Sequence, residues 1–229
     1  DSDQPPSPNP AEAPPITSTP ADTNTVVEIP GLPSGGDSTE LSPQFDPKVE
    51  SAIRKTIRKP EGELTKADLE KVTGLSLHNK QLTSLVGLGN LSNLKTLILA
   101  SNKLTNLAGL ENLSNLEGLN LSNNKLTSLV GLEKLSSLKQ LNLDNNQLTS
   151  VDGLGKISNL EGVFLTRNQL TSLDGIEKFL NLKMLRLDNN KLMSLAGLEK
   201  LSNLTELRLN GNQLTSVEGL EKLTKLTEL

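Results

Sequence analysis

The sequence predicts an α/β solenoid. It is a curved, right-handed coil with a parallel β-sheet on its concave face, short 3₁₀-like turns on its convex face and a helical N-terminal cap. Three observations predict it. One 22-residue pattern recurs seven times over residues 72–225 with no insertion. Within each copy leucines alternate with a period of two and then return at spacings of three. Ahead of the first copy, residues 45–71 hold two helix-start signals.

Residues 1–44 are a different material, with ten of the chain's 12 prolines in clusters such as Pro5-Pro6 and Pro14-Pro15. Ser, Thr, Asp and Ala fill the gaps. Such a segment buries too little apolar surface to offset its ordering entropy, so it is expected to be a disordered, extended linker. The short apolar run Val26-Val27-x-Ile29 does not alter that expectation. Pro-x-x-Pro matches suit an aromatic-lined groove, but they arise by chance in so biased a segment. Asp1 opens the chain with no charged-then-apolar leader, which is expected of a removed signal segment or a trimmed start.

Residues 45–71 read as the cap. Asp46 before Pro47 is a helix N-cap with proline in the first turn. Val49, Ala52, Ile53 and Ile57 then share one helical face. Arg54, Lys55, Arg58 and Lys59 fall toward the C-terminal end, where cations suit the dipole, and Pro60 is expected to stop the helix. Thr65 with Asp68 three residues on marks a second start. The basic cluster reads as a solvated helix face rather than a nucleic-acid patch. No aromatic residues interleave with it, and the chain carries a net charge of -4.

Residues 72–229 are the repeats. Val72, Leu94, Leu116, Leu138, Leu160, Leu182 and Leu204 open the seven copies, and Leu226-Thr227-Glu228-Leu229 begins an eighth. Each runs close to L-x-x-L-x-L-x-x-N-x-L-T-S-L-x-G-L-E-K-L-S-N, the signature of a leucine-rich repeat. Leu119 and Leu121 alternate, so both point into the coil from a short strand. Leu126, Leu129, Leu132 and Leu135 fill it from the convex side, where a 3₁₀-like turn suits a spacing of three. Gly131 and its equivalents, Gly87, Gly109, Gly153, Gly175, Gly197 and Gly219, are expected at a sharp turn with positive φ. Asn102, Asn124, Asn146, Asn168, Asn190 and Asn212 form one column inside the leucine core. They are expected to bond the backbone of neighbouring copies. Lys80 breaks that column in the first copy, where the position is expected to be solvated. At the other end no polar cap follows, so Leu207, Leu209, Leu214 and Leu220 are expected to be partly bare. Truncation or fraying is the expected reading there.

No chemistry-bearing constellation survives inspection. With no Cys, neither a disulfide nor a cysteine zinc site can form. His78 is the only histidine and reads as an exposed edge residue. Gly153-Leu154-Gly155-Lys156 resembles a phosphate loop but lacks its first glycine and final hydroxyl residue, and it aligns with the convex turn of the other copies. Asn90-Leu91-Ser92 and Asn203-Leu204-Thr205 match a glycosylation pattern, yet their leucines belong to the core. No apolar run approaches the length that spans a bilayer. No catalytic residue, cofactor or metal is expected.

Function is expected on the concave face. The second position of each copy runs Thr73, Lys95, Glu117, Lys139, Glu161, Lys183, Thr205. On strands about 4.8 Å apart this column is expected to neutralise itself. The third runs Gly74, Thr96, Gly118, Gln140, Gly162, Met184, Glu206, and the fifth Ser76, Ile98, Asn120, Asn142, Phe164, Arg186, Arg208. Phe164, Met184, Arg186 and Arg208 therefore gather on copies five to seven. An exposed aromatic, a methionine and two arginines are types enriched at interfaces, so these four are the expected partner-binding residues. The plain alternative is drift on a solvated face.

Residues 46–54, Asp46-Pro47-Lys48-Val49-Glu50-Ser51-Ala52-Ile53-Arg54, with residues 59–69, resemble the helical cap of many secreted bacterial leucine-rich repeat proteins. The copies resemble those of internalins and the related class in the regulatory subunit of protein phosphatase 1. The resemblance covers residues 46–229. It implies a non-enzymatic binder of a protein ligand on its concave sheet. It also implies export to the extracellular space or cell envelope, as a lipoprotein or otherwise surface-anchored, with residues 1–44 as a tether. The chain is expected to act as a monomer without nucleic acid. The second function it implies is an intracellular scaffold or regulatory subunit docking an enzyme such as a phosphatase.

Overall fold

The computed structural model describes residues 44–155 and 157–229. The expected linker lies outside the described residues except for Gln44, as does Lys156 of the phosphate-loop look-alike.

Helix α1 (Pro47–Ile57) begins where the Asp46 carboxylate accepts the Lys48 N–H at 2.8 Å. Val49 and Ile53 on its inner face are fully buried. The expected stop at Pro60 is corrected. The helix ends at Ile57, where Arg58 takes a left-handed φ of 56°. The Lys59 N–H then reaches back to the Arg54 carbonyl at 3.0 Å, closing the last turn before the proline is reached. Helix α2 (Lys66–Leu69) carries a reciprocal capping box between Thr65 and Asp68. Asp68 is nearly buried, and it pairs with Lys59 at 2.6 Å and Lys71 at 3.0 Å. Those hydrogen bonds, Lys59 first, hold its carboxyl well below the usual carboxylate range. Phe45 seats on Gly87 of the first coil, where even a methyl group would collide with the ring.

The strands are β1 (Gly74–Ser76), β2 (Thr96–Ile98), β3 (Gly118–Asn120), β4 (Gln140–Asn142), β5 (Gly162–Phe164), β6 (Met184–Arg186) and β7 (Glu206–Arg208). They pair in chain order, all parallel, in one seven-stranded sheet. Each register step is one repeat, as in Leu75↔Leu97 and Leu97↔Leu119. The middle residue of every strand faces inward, joining a single core of stacked leucines. The structure is thus the leucine-rich repeat solenoid with an N-terminal helix.

On the convex side the seven repeat glycines have φ between 91° and 107°. A side chain there would be strained, which explains the unbroken glycine column. True 3₁₀ turns form in coils 1, 5, 6 and 7: Leu88–Asn90, Ile176–Lys178, Leu198–Lys200 and Leu220–Lys222. Coils 2 and 3 instead close through successive hydrogen-bonded turns, Leu110 to Leu107 and Leu113 to Leu110 in one and Leu132 to Leu129 and Leu135 to Leu132 in the other. The repeated glutamate has a role the sequence reading missed. In Glu111, Glu133, Glu199 and Glu221 its carboxylate accepts the N–H of the glycine two residues earlier at 2.7–2.8 Å.

The asparagine column joins each coil to the one before it. Asn124 Oδ1 accepts the Leu104 N–H at 3.0 Å. Its Nδ2 donates to the Leu99 carbonyl at 3.0 Å and to its own coil's Leu121 carbonyl at 2.9 Å. Asn102, Asn146, Asn168, Asn190 and Asn212 repeat the arrangement. Lys80 is exposed, as expected for an end coil, and gives only its backbone N–H to Asn102. The residue before each column position sits left-handed, with φ of 54° to 59° at Asn79 (before Lys80), Ser101, Asn123, Asn145, Arg167 and Asn189, and of 70° at Gly211 before Asn212. The eighth position is therefore a backbone requirement that asparagine meets cheaply, rather than freely variable surface.

The C-terminal expectation is corrected at one residue. Leu207 is fully buried, because its N–H bonds the Glu228 carbonyl at 2.9 Å and the last residues lie over it. Leu209, Leu214 and Leu220 are half buried, as expected.

Replacing Asn124 with Ala strands one buried N–H and weakens two buried carbonyls. The expected cost is about 3 kcal/mol in urea unfolding. Lys80→Ala, in the same column at the solvated end, is expected to change stability by less than about 0.5 kcal/mol. Equal losses at the two positions would show that the column does not join the coils.

Candidate functional site

The concave face is built from the strand positions that flank each buried middle residue. On β5, β6 and β7, Val163, Leu185 and Leu207 turn inward and are buried. Their neighbours turn outward: Gly162 and Phe164, Met184 and Arg186, Glu206 and Arg208. The register lines up Phe164, Arg186 and Arg208 in one row and Gly162, Met184 and Glu206 in the next.

All four sequence-predicted residues lie in this patch. The Arg186 guanidinium sits 4.9 Å from the centre of the Phe164 ring, a cation–π stack. The expectation of an exposed aromatic is corrected accordingly, since Phe164 is half buried. Arg186 Nε bonds Glu206 Oε1 at 2.6 Å, and Arg208 Nε approaches the same oxygen at 3.1 Å. Arg208 Nη2 lies 3.8 Å from Glu228. Met184 sits beside Glu206 in the register. Glu206 is the member the sequence reading left out. Its signal was present, since it stands in the third column between two fifth-column arginines. The Arg186 hydrogen bond, with both arginine charges, draws the Glu206 carboxyl below its ordinary range and raises Arg186.

Asp144 borders the patch and is half buried, with one oxygen accepting the Thr166 N–H at 2.7 Å. Burial pushes its carboxyl up, against that bond and the Arg186 charge. The stacked Phe164, its bound guanidinium and the methionine beside them thus make an amphipathic surface. It offers apolar contact and charge-assisted hydrogen bonds.

The second-position column behaves as expected. Glu117 lies between Lys139 at 2.8 Å and Lys95 at 4.0 Å, and Glu161 pairs with Lys183 at 2.8 Å. These pairs are well exposed, so they add little stability. Beside them runs a second asparagine row, unforeseen in the sequence. Asn115, Asn159, Asn181 and Asn203 each donate to a carbonyl of the preceding coil, and Asn93 to the Glu70 carbonyl of the cap, at 2.8–3.2 Å. His78 is exposed on the first coil. Among the described residues no three His, Cys, Asp or Glu side chains converge as metal ligands, and no helix is long and apolar enough to cross a membrane.

Comparison with known proteins follows the same line. Family patterns described as leucine-rich repeats match residues 114–156, as two copies, and residues 203–224. No curated protein sequence matches the chain. Among solved structures, internalin C2 from Listeria monocytogenes is 34% identical with a TM-score of 0.78, over 80% of this chain and 82% of that one. Another internalin of the same organism is 26% identical with a TM-score of 0.77, over 80% of this chain and 55% of its own. A leucine-rich repeat protein of Leptospira interrogans is 29% identical with a TM-score of 0.62, over 72% of this chain and 50% of its own.

A pH test follows from the Glu206 network. Its folded carboxyl titrates lower than in the unfolded chain, so its contribution is present above about pH 4.3 and is lost as pH falls through the lower folded value. The wild-type melting temperature is expected to drop more steeply below pH 4.3 than that of Glu206→Gln. Parallel curves would show that Glu206 adds nothing to the fold.

Proposed function

Because this chain belongs to the internalin family of leucine-rich repeat proteins, we propose that it is a non-enzymatic binder of a protein ligand, displayed at the bacterial cell surface or envelope. An internalin-like repeat fold implies a protein-binding module. In this reading residues 1–44 tether the repeats, the chain works as a monomer without nucleic acid, and the ligand sits on the concave face. The contact centres on Phe164, Met184, Arg186 and Arg208, with Glu206 holding the two arginines.

One observation carries the reading. The inward columns are nearly constant from coil to coil, while the outward strand positions change in size and charge with every coil. Packing demands the first and leaves the second open. The patch on β5 to β7 combines the aromatic, methionine and arginine types that dominate binding energy at interfaces. Its side chains are also pre-ordered by stacking and ion pairing, which lowers the entropic cost of docking.

The full chain serves as bait to isolate a ligand, and Phe164→Ala is then compared with the wild type. The substitution removes an outward side chain, so the melting temperature is expected to shift by less than about 3 °C. Affinity for the captured ligand is expected to fall by at least about tenfold. Unchanged binding by Phe164→Ala, with loss of binding on substitution near Ile98, would move the site to the other end of the sheet.

A further inference from the structure

Asn210-Gly211 is the one Asn-Gly pair in the chain. Asparagine is thermolabile because the nitrogen of the next residue can close a ring on its side-chain amide carbon, and glycine in that next place leaves the approach unobstructed. Both residues are exposed, just past the end of β7. Hydrogen bonding favours the attack. The carbonyl of the peptide that joins them accepts the Asn189 N–H at 2.6 Å. That bond draws electron density from the peptide nitrogen and eases the loss of its proton. In the coils before, the N–H at this position is held by a carbonyl of the following coil, at Asn79, Ser101, Asn123, Asn145, Arg167 and Asn189, over 2.6–3.0 Å. The Gly211 N–H has no acceptor among the described residues.

The Asn210 side chain is tethered at a single atom. Its Nδ2 and its backbone N–H both donate to Asp188 Oδ1 at 3.0 Å. Releasing that one oxygen lets the amide carbon swing to the Gly211 nitrogen. The backbone here also has a task. Two residues on, Asn212 joins coil 7 to coil 6: its Oδ1 accepts the Leu192 N–H at 3.1 Å, and its Nδ2 donates to the carbonyls of Leu187 at 2.9 Å and Leu209 at 2.8 Å. The left-handed turn before it does not itself demand glycine, since Asn123, Asn145 and Asn189 make it in other coils.

We propose that Asn210 is a site of spontaneous deamidation whose isoaspartate product releases coil 7 from the asparagine column. The Gly211 nitrogen gives up its proton and bonds to Asn210 Cγ. The Cγ–Nδ2 bond breaks, and Nδ2 leaves as ammonia with that proton. Water then opens the five-membered succinimide. Breaking the new Cγ–N bond yields aspartate, while breaking the original C–N bond yields isoaspartate, whose main chain runs through Cβ and Cγ and is one atom longer. Aspartate sets a carboxylate against Asp188 where a donor stood. Isoaspartate goes further, because the added atom carries the Asn212 amide off its partners. The Leu192 N–H, on a fully buried residue, then loses its acceptor. The reaction needs no ligand and is independent of the binding role of the concave face.

The full chain is incubated at mildly alkaline pH beside a free peptide of residues 207–213, and both are followed by mass spectrometry. Deamidation adds one dalton. Asp152-Gly153 and Asp174-Gly175 pass through the same ring with no change in mass, so the gain reports asparagine alone. Peptide mapping is expected to place the gain at Asn210, chiefly as isoaspartate. In the purified isoaspartate fraction the Leu192 amide is expected to exchange with deuterium at least about tenfold faster than in fresh protein. Leu170, held by Asn190 at 3.0 Å, is expected to keep its original rate. Gly211→Asn installs a residue that other coils accept at this turn, and it is expected to slow the gain at least about tenfold. No gain at Asn210 over ten half-lives of the free peptide, an equal rate in the variant, or an unchanged Leu192 amide in the isoaspartate fraction would overturn the proposal.

Discussion

The structure depends on one side chain per coil bonding to the coil before it. A 22-residue coil buries nothing by itself, and its leucines become a core only when stacked. Stacking leaves the backbone at the sheet's C-terminal edge with donors and carbonyls inside an apolar interior. The asparagine column meets both needs, accepting from one N–H of the preceding coil and donating to one of its carbonyls and one of its own. Leucine in that column would leave these groups unpaired, and aspartate would add a charge and lose the donor. The cost of such a rigid arrangement is a fixed repeat length. An inserted residue would carry the amide away from its carbonyls.

Other features follow from that bond. The amide takes a carbonyl the strand would have used, so each strand ends after three paired residues and the chain turns. The left-handed residue just before each asparagine makes that turn, and the positive-φ glycine makes the convex one. Between these fixed points only the outward strand positions are free. The second-position ladder uses part of that freedom to alternate charge between coils. Glycines at 74, 118 and 162 sit in the coils between the larger Thr96, Gln140 and Met184. At the third and fifth positions coils 1 to 3 carry no charge, while coils 5 to 7 carry the aromatic and its ion network. All 23 Lys and Arg residues but only 20 of the 27 Asp and Glu residues lie in residues 44–229, so that part is net positive by three, although the whole chain is negative.

The repeat made the fold legible without any structure. Period, strand alternation, glycine turns, the asparagine column and both cap starts followed from residue spacing. What spacing hides is chemistry that crosses between coils. Asn123-Asn124 reads as a doublet in the sequence, yet its first member serves backbone geometry and its second serves burial. Glu111 caps a glycine N–H within its own turn, which its place in the repeat does not announce. Glu206 reads as one more variable residue, because its link to Arg186 and Arg208 exists only once three coils stack. The Phe164 patch was visible as a cluster of residue types in adjacent copies, but not as a stacked and bonded unit.

The central claim is that coils are interchangeable units coupled only to their neighbours through the asparagine bond and the leucine stack. Excising residues 138–159 tests it most directly, because the cut removes one whole period and brings Asn168 into register with the coil of Asn124. Far-ultraviolet circular dichroism across a urea titration reads the outcome. The account predicts a native-like spectrum and a single cooperative transition at lower urea, with its slope reduced in proportion to the lost surface. A chain with no cooperative transition would contradict it, since that would mean the fold needs contacts reaching beyond adjacent coils.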